Sequence, residues 1–374
     1  MKKATLILLI ISMVLTTGCW DMLEVDQRIY PYTAGYDLLD KEKEIYNITF
    51  SYPNLTALGK NAVSEDLANI KTIEAENIFE AMHNISTELQ YSFYFKHLKA
   101  IILSEEVALQ EKLMRETVDG IFRDFTANKN LEMLLVKGSA RQVLEAVKNT
   151  ARIQAVEGVL NSMLENLQKS ALFTPKKLGE FIFDMDICGT SVIPIVQAKE
   201  DGVEISGGAV FKDYKLVGYI TGTQNRDIAY LRNEIDNFSY TTKYKGNEIT
   251  LMLTDISSKP KLIEATDKIK IKMEVKLEAH IHSYIIGKEY QINTKEILKD
   301  IENQIAKEHQ AQFKNTIGLF QKEYKADILE IGDYLYKFHP KLWKKVKEDW
   351  DKIYPEIEID FDVEVAIRRR GLTK

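Results

Sequence analysis

The sequence has few of the residues that stabilise or equip many other proteins. Its 374 residues include only two cysteines, Cys19 and Cys188, so it is not a disulfide-rich scaffold. No apolar run reaches the roughly 20 residues that a membrane-spanning helix needs. The formal net charge is −6, which argues against nucleic acid as a partner, because nucleic acid requires a basic face.

Motifs for catalysis are also absent from the sequence. Neither His-Glu-x-x-His nor Gly-x-Ser-x-Gly occurs, and no pair of acidic residues stands out as catalytic. Gly207 and Gly208 lie within a strand pattern and lack the Lys-Ser/Thr of a phosphate loop, so a bulge or close packing is the better interpretation. We predict no catalytic residue, no metal and no cofactor.

The first residues, "MKKATLILLIISMVLTTGCW", have the pattern of a secretory signal. Two lysines precede a short apolar segment from Ala4 to Leu15, and small residues lead to Cys19. A cysteine at this position can be alkylated by a diacylglyceryl group, whose acyl chains are fatty acids such as palmitate. We therefore predict a signal peptide over residues 1–18 and lipidation of Cys19, which would anchor the mature chain to a membrane.

The segment departs from the usual lipoprotein signal at one position. Thr16 stands three places before the cysteine, where a large aliphatic residue is usual. The alternative is a plain signal peptide with an incidental cysteine. Once Cys19 is acylated, Cys188 has no partner for a disulfide within the chain, and its apolar surroundings are typical of a buried thiol.

Length and pattern predict a mixed α/β (α+β) fold in three domains, each a sheet with packed helices. After the signal peptide, residues 19–199 form an N-terminal α/β domain in this prediction. Residues 200–256 form a middle domain, and 257–374 form a C-terminal α+β domain. A polar break at "QAKEDG" gives the first of these boundaries.

Two long amphipathic strands dominate the C-terminal third, over residues 268–284 and 356–368. In each, apolar residues alternate with charged ones, which is typical of a strand with one buried and one solvated face. The solvated face of the first is rich in lysine, and that of the second is acidic. Opposite charges on neighbouring strands attract, so we predict that the two strands are neighbours in one sheet, with helices in the chain between them.

Two histidines, His280 and His282, point the same way on the first of these strands. They could form half of a metal site, with Glu278 and Glu274 nearest in sequence. The alternative, which we favour, is that they complete a charged row facing solvent. His309 and His339 are interpreted as surface residues of helices.

Four segments together resemble the C-subunit lipoproteins of spore germinant receptors, the Ger(x)C family. They are "GCWDMLEVDQ", "GGAVFKDYKLVGYITG", "KADILEIGDYLYKFHPKLWKKVKEDWDKIYP" and the tail "VAIRRRG". The resemblance implies a non-enzymatic protein, lipid-anchored at the outer face of the spore inner membrane. It implies two integral membrane receptor subunits as partners and a role in the nutrient sensing that triggers germination. Only Cys19 is carried over as a functional residue.

Two other functions are weighed against this one. A solute-binding lipoprotein that feeds a transporter would have a cleft between two similar lobes, but the sequence shows no internal repeat. A surface hydrolase would need a catalytic constellation, and we find none in the sequence.

Overall fold

The computed structural model describes residues 28–54, 68–89, 92–123, 129–150, 156–165, 171–235, 237–265, 268–284 and 295–369. Strands in the first part of the chain form a mixed eight-stranded sheet and a two-stranded one. They are β1 (Arg28–Ile29), β2 (Thr33–Asp40), β3 (Ile45–Pro53), β4 (Ala68–Ala75), β5 (Ser92–Phe93), β6 (Ala100–Ser104), β7 (Glu132–Val136), β8 (Thr190–Lys199), β9 (Gly202–Lys212) and β10 (Lys215–Ile220).

The order of the large sheet is β10-β9-β8-β7-β6-β2-β3-β4, and β1 pairs separately with β5. The central strands β2, β6, β7 and β8 are mutually parallel. Their apolar residues serve both faces of the sheet, as expected of buried parallel strands. Ile101 and Leu103 of β6 lie in one core, and Ile102 between them lies in the other.

Helices cover both faces of this sheet. They are α1 (Ile78–Glu88), α2 (Glu105–Ala108), α3 (Glu111–Arg123), α4 (Ala140–Thr150), α5 (Val156–Glu165) and α6 (Leu178–Ile187). Apolar residues of α1, α3 and α6 lie in one core, and those of α4 and α5 lie in the other. Asp37 of β2 helps to begin α4, because its carboxylate accepts a hydrogen bond from Ala140 N at 2.6 Å and another from Ser139 Oγ at 2.8 Å.

The second sheet has the order β11-β12-β13-β14. Its strands are β11 (Phe238–Tyr244), β12 (Asn247–Ala265), β13 (Ile269–Tyr284) and β14 (Glu358–Arg369). The helices around it are α7 (Gly222–Leu231), α8 (Lys295–Leu319), α9 (Ile331–Phe338), α10 (Pro340–Val346) and α11 (Trp350–Ile353), with a π turn at Phe320–Tyr324 and 3-10 turns at Lys347–Asp349 and Tyr354–Glu356. The residues that would start α8, Asn293 included, lie outside the described residues.

The predicted pairing of the two amphipathic strands is confirmed. Strands β13 and β14 are parallel neighbours, with Lys272 opposite Asp360 and Lys276 opposite Glu364. Ion pairs cross the solvated face, with Lys272 Nζ 2.6 Å from Asp362 and Lys276 Nζ 3.3 Å from Glu364. Alternation of charge thus predicted the partner strand as well as the buried face.

The mixed α/β fold class is confirmed, whereas the division into three domains stays a prediction. The segment 200–256, predicted as a middle domain, contributes strands to both sheets. Its strands β9 and β10 extend the eight-stranded sheet by pairing with β8, and its strands β11 and β12 begin the four-stranded one. Neighbouring positions in the sequence therefore do not share one sheet here.

The glycine pair in β9 marks a close approach, as the strand pattern suggested. Gly207 has a φ of +69°, and a Cβ atom added there would lie 2.4 Å from the carbonyl oxygen of Ile220. A Cβ atom on Gly208 would lie 2.2 Å from a methyl group of Val192. Both positions need a residue without a side chain.

The two sheets are joined by side chains that cross between them. Tyr324, at the end of the π turn, donates a hydrogen bond to the carbonyl oxygen of Tyr219 in β10 at 2.7 Å. Lys212 of β9 donates to the carbonyl oxygen of Lys325 at 2.8 Å. One continuous apolar core includes residues of β8 and β9 together with strands β11 to β14. None of the helices in the described ranges combines the length and the apolarity that crossing a bilayer requires.

Candidate functional site at the junction of the two sheets

Buried charges are concentrated where helix α6 meets the C-terminal part of the chain. Asp184 in α6 is 6% exposed, and its carboxylate lies 2.8 Å from Lys176 Nζ. Ser191 of β8 donates a second hydrogen bond to the same carboxylate oxygen at 2.6 Å. Because buried charges are costly unless paired and hydrogen-bonded, these three residues form one unit that holds α6 against β8.

Arg232 connects this region to the C-terminal part of the chain. It follows the last turn of α7, and its guanidinium lies 2.7 Å from Glu234 and 2.7 Å from Glu330. It also donates to the carbonyl oxygen of Ile328 at 3.1 Å. Burial by itself would lower the pKa of Arg232, but the two glutamates outweigh it and raise that pKa above its usual range. The guanidinium therefore stays charged and fixes the loop before α9.

A cleft of about 680 Å³ opens beside these charges. Lys176, Asp184, Arg232 and Glu234 line it, together with Phe183. Phe183 is 63% exposed, and Ile187, one turn further along α6, is 53% exposed. The charged groups of the cleft already pair within the chain, so the arrangement is better suited to fixing two parts of the protein, and to presenting an apolar ridge, than to capturing a charged solute.

Asp327 is the organising residue of the C-terminal segment. It is 4% exposed, and its carboxylate accepts hydrogen bonds from Ile331 N at 3.0 Å and Gly332 N at 2.7 Å. The indole nitrogen of Trp350 donates a third at 3.3 Å. Burial raises the pKa of Asp327 to about 6, although the hydrogen bonds oppose that shift. One carboxylate thus caps α9 and ties it to the Trp350 segment.

The predicted histidine pair on β13 has no set of ligands around it. His280 lies half-buried beside His282, which is exposed. Within the described ranges, no group of three or more His, Cys, Asp or Glu residues could hold a metal ion. The interpretation of the pair as part of a solvent-facing row is the one that the geometry favours.

His309 is a residue that the sequence interpretation placed wrongly. It was expected on a helix surface, but it is 1% exposed, between Tyr230, Tyr240 and Phe313. Burial lowers its pKa to about 4, so the ring is neutral and Nδ1 bonds to the carbonyl oxygen of Ile305 at 3.0 Å. The signal was present in the sequence, because His309 lies four residues from both Ile305 and Phe313 on the same stripe.

The two cysteines have different outcomes. Cys188, at the end of α6, is half-buried, and burial raises the pKa of its thiol to about 12. The thiol donates to the carbonyl oxygen of Asp184 at 3.3 Å and is not a reactive thiolate. Cys19, the predicted lipidation site, lies outside the described residues, so its lipidation stays a prediction.

Comparison with known families gives the context for these features. Residues 21–198 match the model "Spore germination protein N-terminal domain". Residues 206–371 match the model "Spore germination B3/GerAC like, C-terminal". The chain belongs to the GerAC family of spore germination proteins. The resemblance read from the four sequence segments is thereby confirmed, and it extends over nearly the whole chain.

Individual members of the GerAC family are distant relatives. The spore germination protein B3 of Bacillus subtilis strain 168 is 22% identical over 95% of this chain and 94% of its own. The spore germination protein YndF of the same organism is 25% identical over 99% of this chain and 97% of its own. Members of the family are germinant-receptor subunits rather than known enzymes, so this chain has a germination-related role.

A crystal structure of the GerBC protein has the same fold. It superposes with a TM-score of 0.60 at 20% identity, over 89% of this chain and 96% of its own. At this level of identity the likeness concerns the fold, and it supports the two-sheet architecture described above.

Proposed function

We propose that this GerAC-family chain is the lipid-anchored C subunit of a spore nutrient germinant receptor. It acts with two integral membrane subunits at the outer face of the spore inner membrane. The observation that carries the proposal is the match to the family over nearly the whole chain, which begins two residues after a cysteine that ends a secretory signal pattern. The role is one of binding and assembly, with the lipid supplying the attachment.

The anchor is tested by replacing Cys19 with alanine in the full-length protein. We expect this variant to leave the membrane fraction of spores and nutrient-triggered germination to slow. Cys188→Ala is the matched control, because it removes the other cysteine, whose half-buried thiol makes only weak hydrogen bonds. Membrane retention and germination at normal levels in Cys19→Ala would contradict the anchoring role.

The partners are tested by co-purification. We expect the detergent-solubilised, acylated protein to retain two multi-pass subunits through affinity purification. Recovery of the chain alone from membranes that contain both subunits would contradict the receptor assignment.

The alternative of a solute-binding lipoprotein is less well supported by the fold. That class predicts a cleft between two similar lobes. Here an eight-stranded sheet and a four-stranded sheet of different topology meet at the cleft, whose charged residues pair with each other. Titration calorimetry of the purified protein with the receptor's nutrient separates the two functions, because micromolar binding by this chain alone would favour the alternative.

A further inference from the structure

Aromatic and basic side chains gather around the short strands β1 and β5. Tyr30 and Tyr94 meet edge to face, with ring centroids 5.8 Å apart, and His97 lies 5.2 Å from Tyr30. The guanidinium carbon of Arg28 lies 4.8 Å from the centre of the Tyr94 ring, and Lys96 Nζ lies 5.8 Å from it. Cations stacked on tyrosine rings at a protein edge combine apolar area with positive charge.

The cluster lies at one edge of the eight-stranded sheet. Strands β1 and β5 come directly before the parallel strands β2 and β6, and Lys99 N donates to the carbonyl oxygen of Tyr32 at 2.7 Å. The edge is therefore the one from which the parallel strands start. The turn at Glu200–Asp201, which follows strand β8, lies at the opposite edge, because β8 runs parallel to β7. Strand β8 alone separates the two edges by roughly 30 Å.

The charge of this edge contrasts with that of the whole chain. Residues 28–36 and 92–100 carry Arg28, Lys96 and Lys99 and no acidic residue, whereas the chain has a formal net charge of −6. Lys96, His97 and Lys99 are exposed. Across the ranges that the structure describes, no ion pair engages any of the three cations, so their charge faces outward. Positive charge on an otherwise acidic protein is complementary to an anionic surface.

The chain length between this edge and Cys19 limits what the edge can face. Arg28 is nine residues after Cys19, and nine residues span at most about 30 Å. The intervening residues include Asp21, Glu24 and Asp26, which anionic headgroups repel. Any electrostatic attraction to a membrane must therefore come from the folded edge rather than from the tether.

We propose that this edge lies against the anionic phospholipid headgroups of the membrane that holds the lipid anchor. The contact surface consists of Arg28, Tyr30, Tyr94, Lys96, His97 and Lys99. Tyrosine rings suit the interface between headgroups and acyl chains, and the cations neutralise the headgroups. The inference rests on the proposed anchoring of Cys19 and adds the orientation of the protein on the membrane. The opposite edge of the sheet then faces away from the bilayer.

Fluorescence quenching on vesicles tests the orientation. The full-length acylated protein, with Cys188→Ser, carries an environment-sensitive fluorophore at His97→Cys in one sample and at Asp201→Cys in the other. The vesicles contain phosphatidylglycerol, phosphatidylcholine and a headgroup-level nitroxide lipid. We expect several-fold stronger quenching at position 97 than at 201. Equal quenching, or stronger quenching at 201, would overturn the inference.

Charge reversal tests the chemistry of the contact. In the labelled protein, Arg28→Glu, Lys96→Glu and Lys99→Glu together should reduce quenching at position 97 several-fold while the protein still floats with the vesicles. The matched control is Lys41→Glu, Lys43→Glu and Lys199→Glu, three exposed residues at the opposite edge, which should leave quenching at 97 unchanged.

The two measurements separate this inference from the proposed function. Flotation with uniform quenching supports the anchor and overturns the orientation. Unchanged quenching after reversal of the three basic residues overturns the electrostatic contact. Failure of the acylated protein to float overturns both proposals, because neither the lipid nor the edge then binds the vesicle.

Discussion

Replacing Asp327 by alanine removes the one carboxylate that three buried donors share. The backbone nitrogens of Ile331 and Gly332 and the indole nitrogen of Trp350 all donate to it. Alanine cannot accept these hydrogen bonds, and the site is too buried for water to replace them. We therefore expect helix α9 and the Trp350 segment to lose their mutual support.

The size of the effect follows from the donors and from the pKa. A buried donor left without a partner costs about 1–3 kcal/mol, so three donors cost about 6 kcal/mol in total. The pKa of Asp327 rises from 3.8 to about 6, so near pH 7 the buried ionised form is already disfavoured by about 3 kcal/mol. The substitution relieves that cost, and the expected net loss in free energy of unfolding is about 3 kcal/mol at neutral pH.

The pH dependence has a definite sign. A carboxyl group whose pKa is higher in the folded than in the unfolded protein binds its proton more tightly in the folded state. Its contribution to stability is complete below about pH 3.8 and is lost as the pH rises through about 6. The difference in unfolding free energy between wild type and Asp327→Ala should therefore grow as the pH falls from 7 toward 4.

Urea unfolding followed by tryptophan fluorescence measures this difference at pH 7.5, 6 and 5. Asp349→Ala is the control, because Asp349 is an exposed carboxylate in the same segment, paired only with Lys352 at 2.7 Å. We expect the control to leave the unfolding midpoint nearly unchanged at every pH. A loss below about 1 kcal/mol for Asp327→Ala, or a difference that shrinks as the pH falls, would refute the reasoning.

Three further substitutions test other parts of the fold. Lys176→Met leaves the carboxylate of Asp184 buried without its cation and should cost about 3 kcal/mol in urea unfolding; a loss no larger than that of an exposed lysine would contradict the buried pair. Gly207→Ala combines a φ of +69° with a 2.4 Å approach to a carbonyl oxygen of β10 and should cost about 2 kcal/mol or more, and an unchanged melting temperature would disprove the close approach. Lys272→Glu should lower the melting temperature and Asp362→Lys in the same chain should restore it, whereas additive losses in the double variant would show that the pair does not interact.

Local patterns in the sequence predicted much of the fold because they act over short distances. Alternating charge on the two long strands predicted both their buried faces and their pairing. The stripe that includes Ile301, Ile305 and Phe313 predicted helix α8. These inferences succeed because side-chain direction repeats every two residues in a strand and every three to four in a helix. His309 lies on that same helical stripe, and its burial went unpredicted because its polarity was weighed above its position.

The sequence by itself determined the fold class, the family and the prediction that Cys19 carries the attachment, because each depends on residues that are close together in the chain. Only the tertiary structure decided that segment 200–256 contributes to both sheets and that Arg232 reaches Glu330 across the junction. It also decided that Arg28 and Lys96 gather on one edge. The physical reason is that buried ion pairs and shared edges join residues up to about a hundred positions apart, and no periodicity of the chain specifies which distant partner a charge will meet.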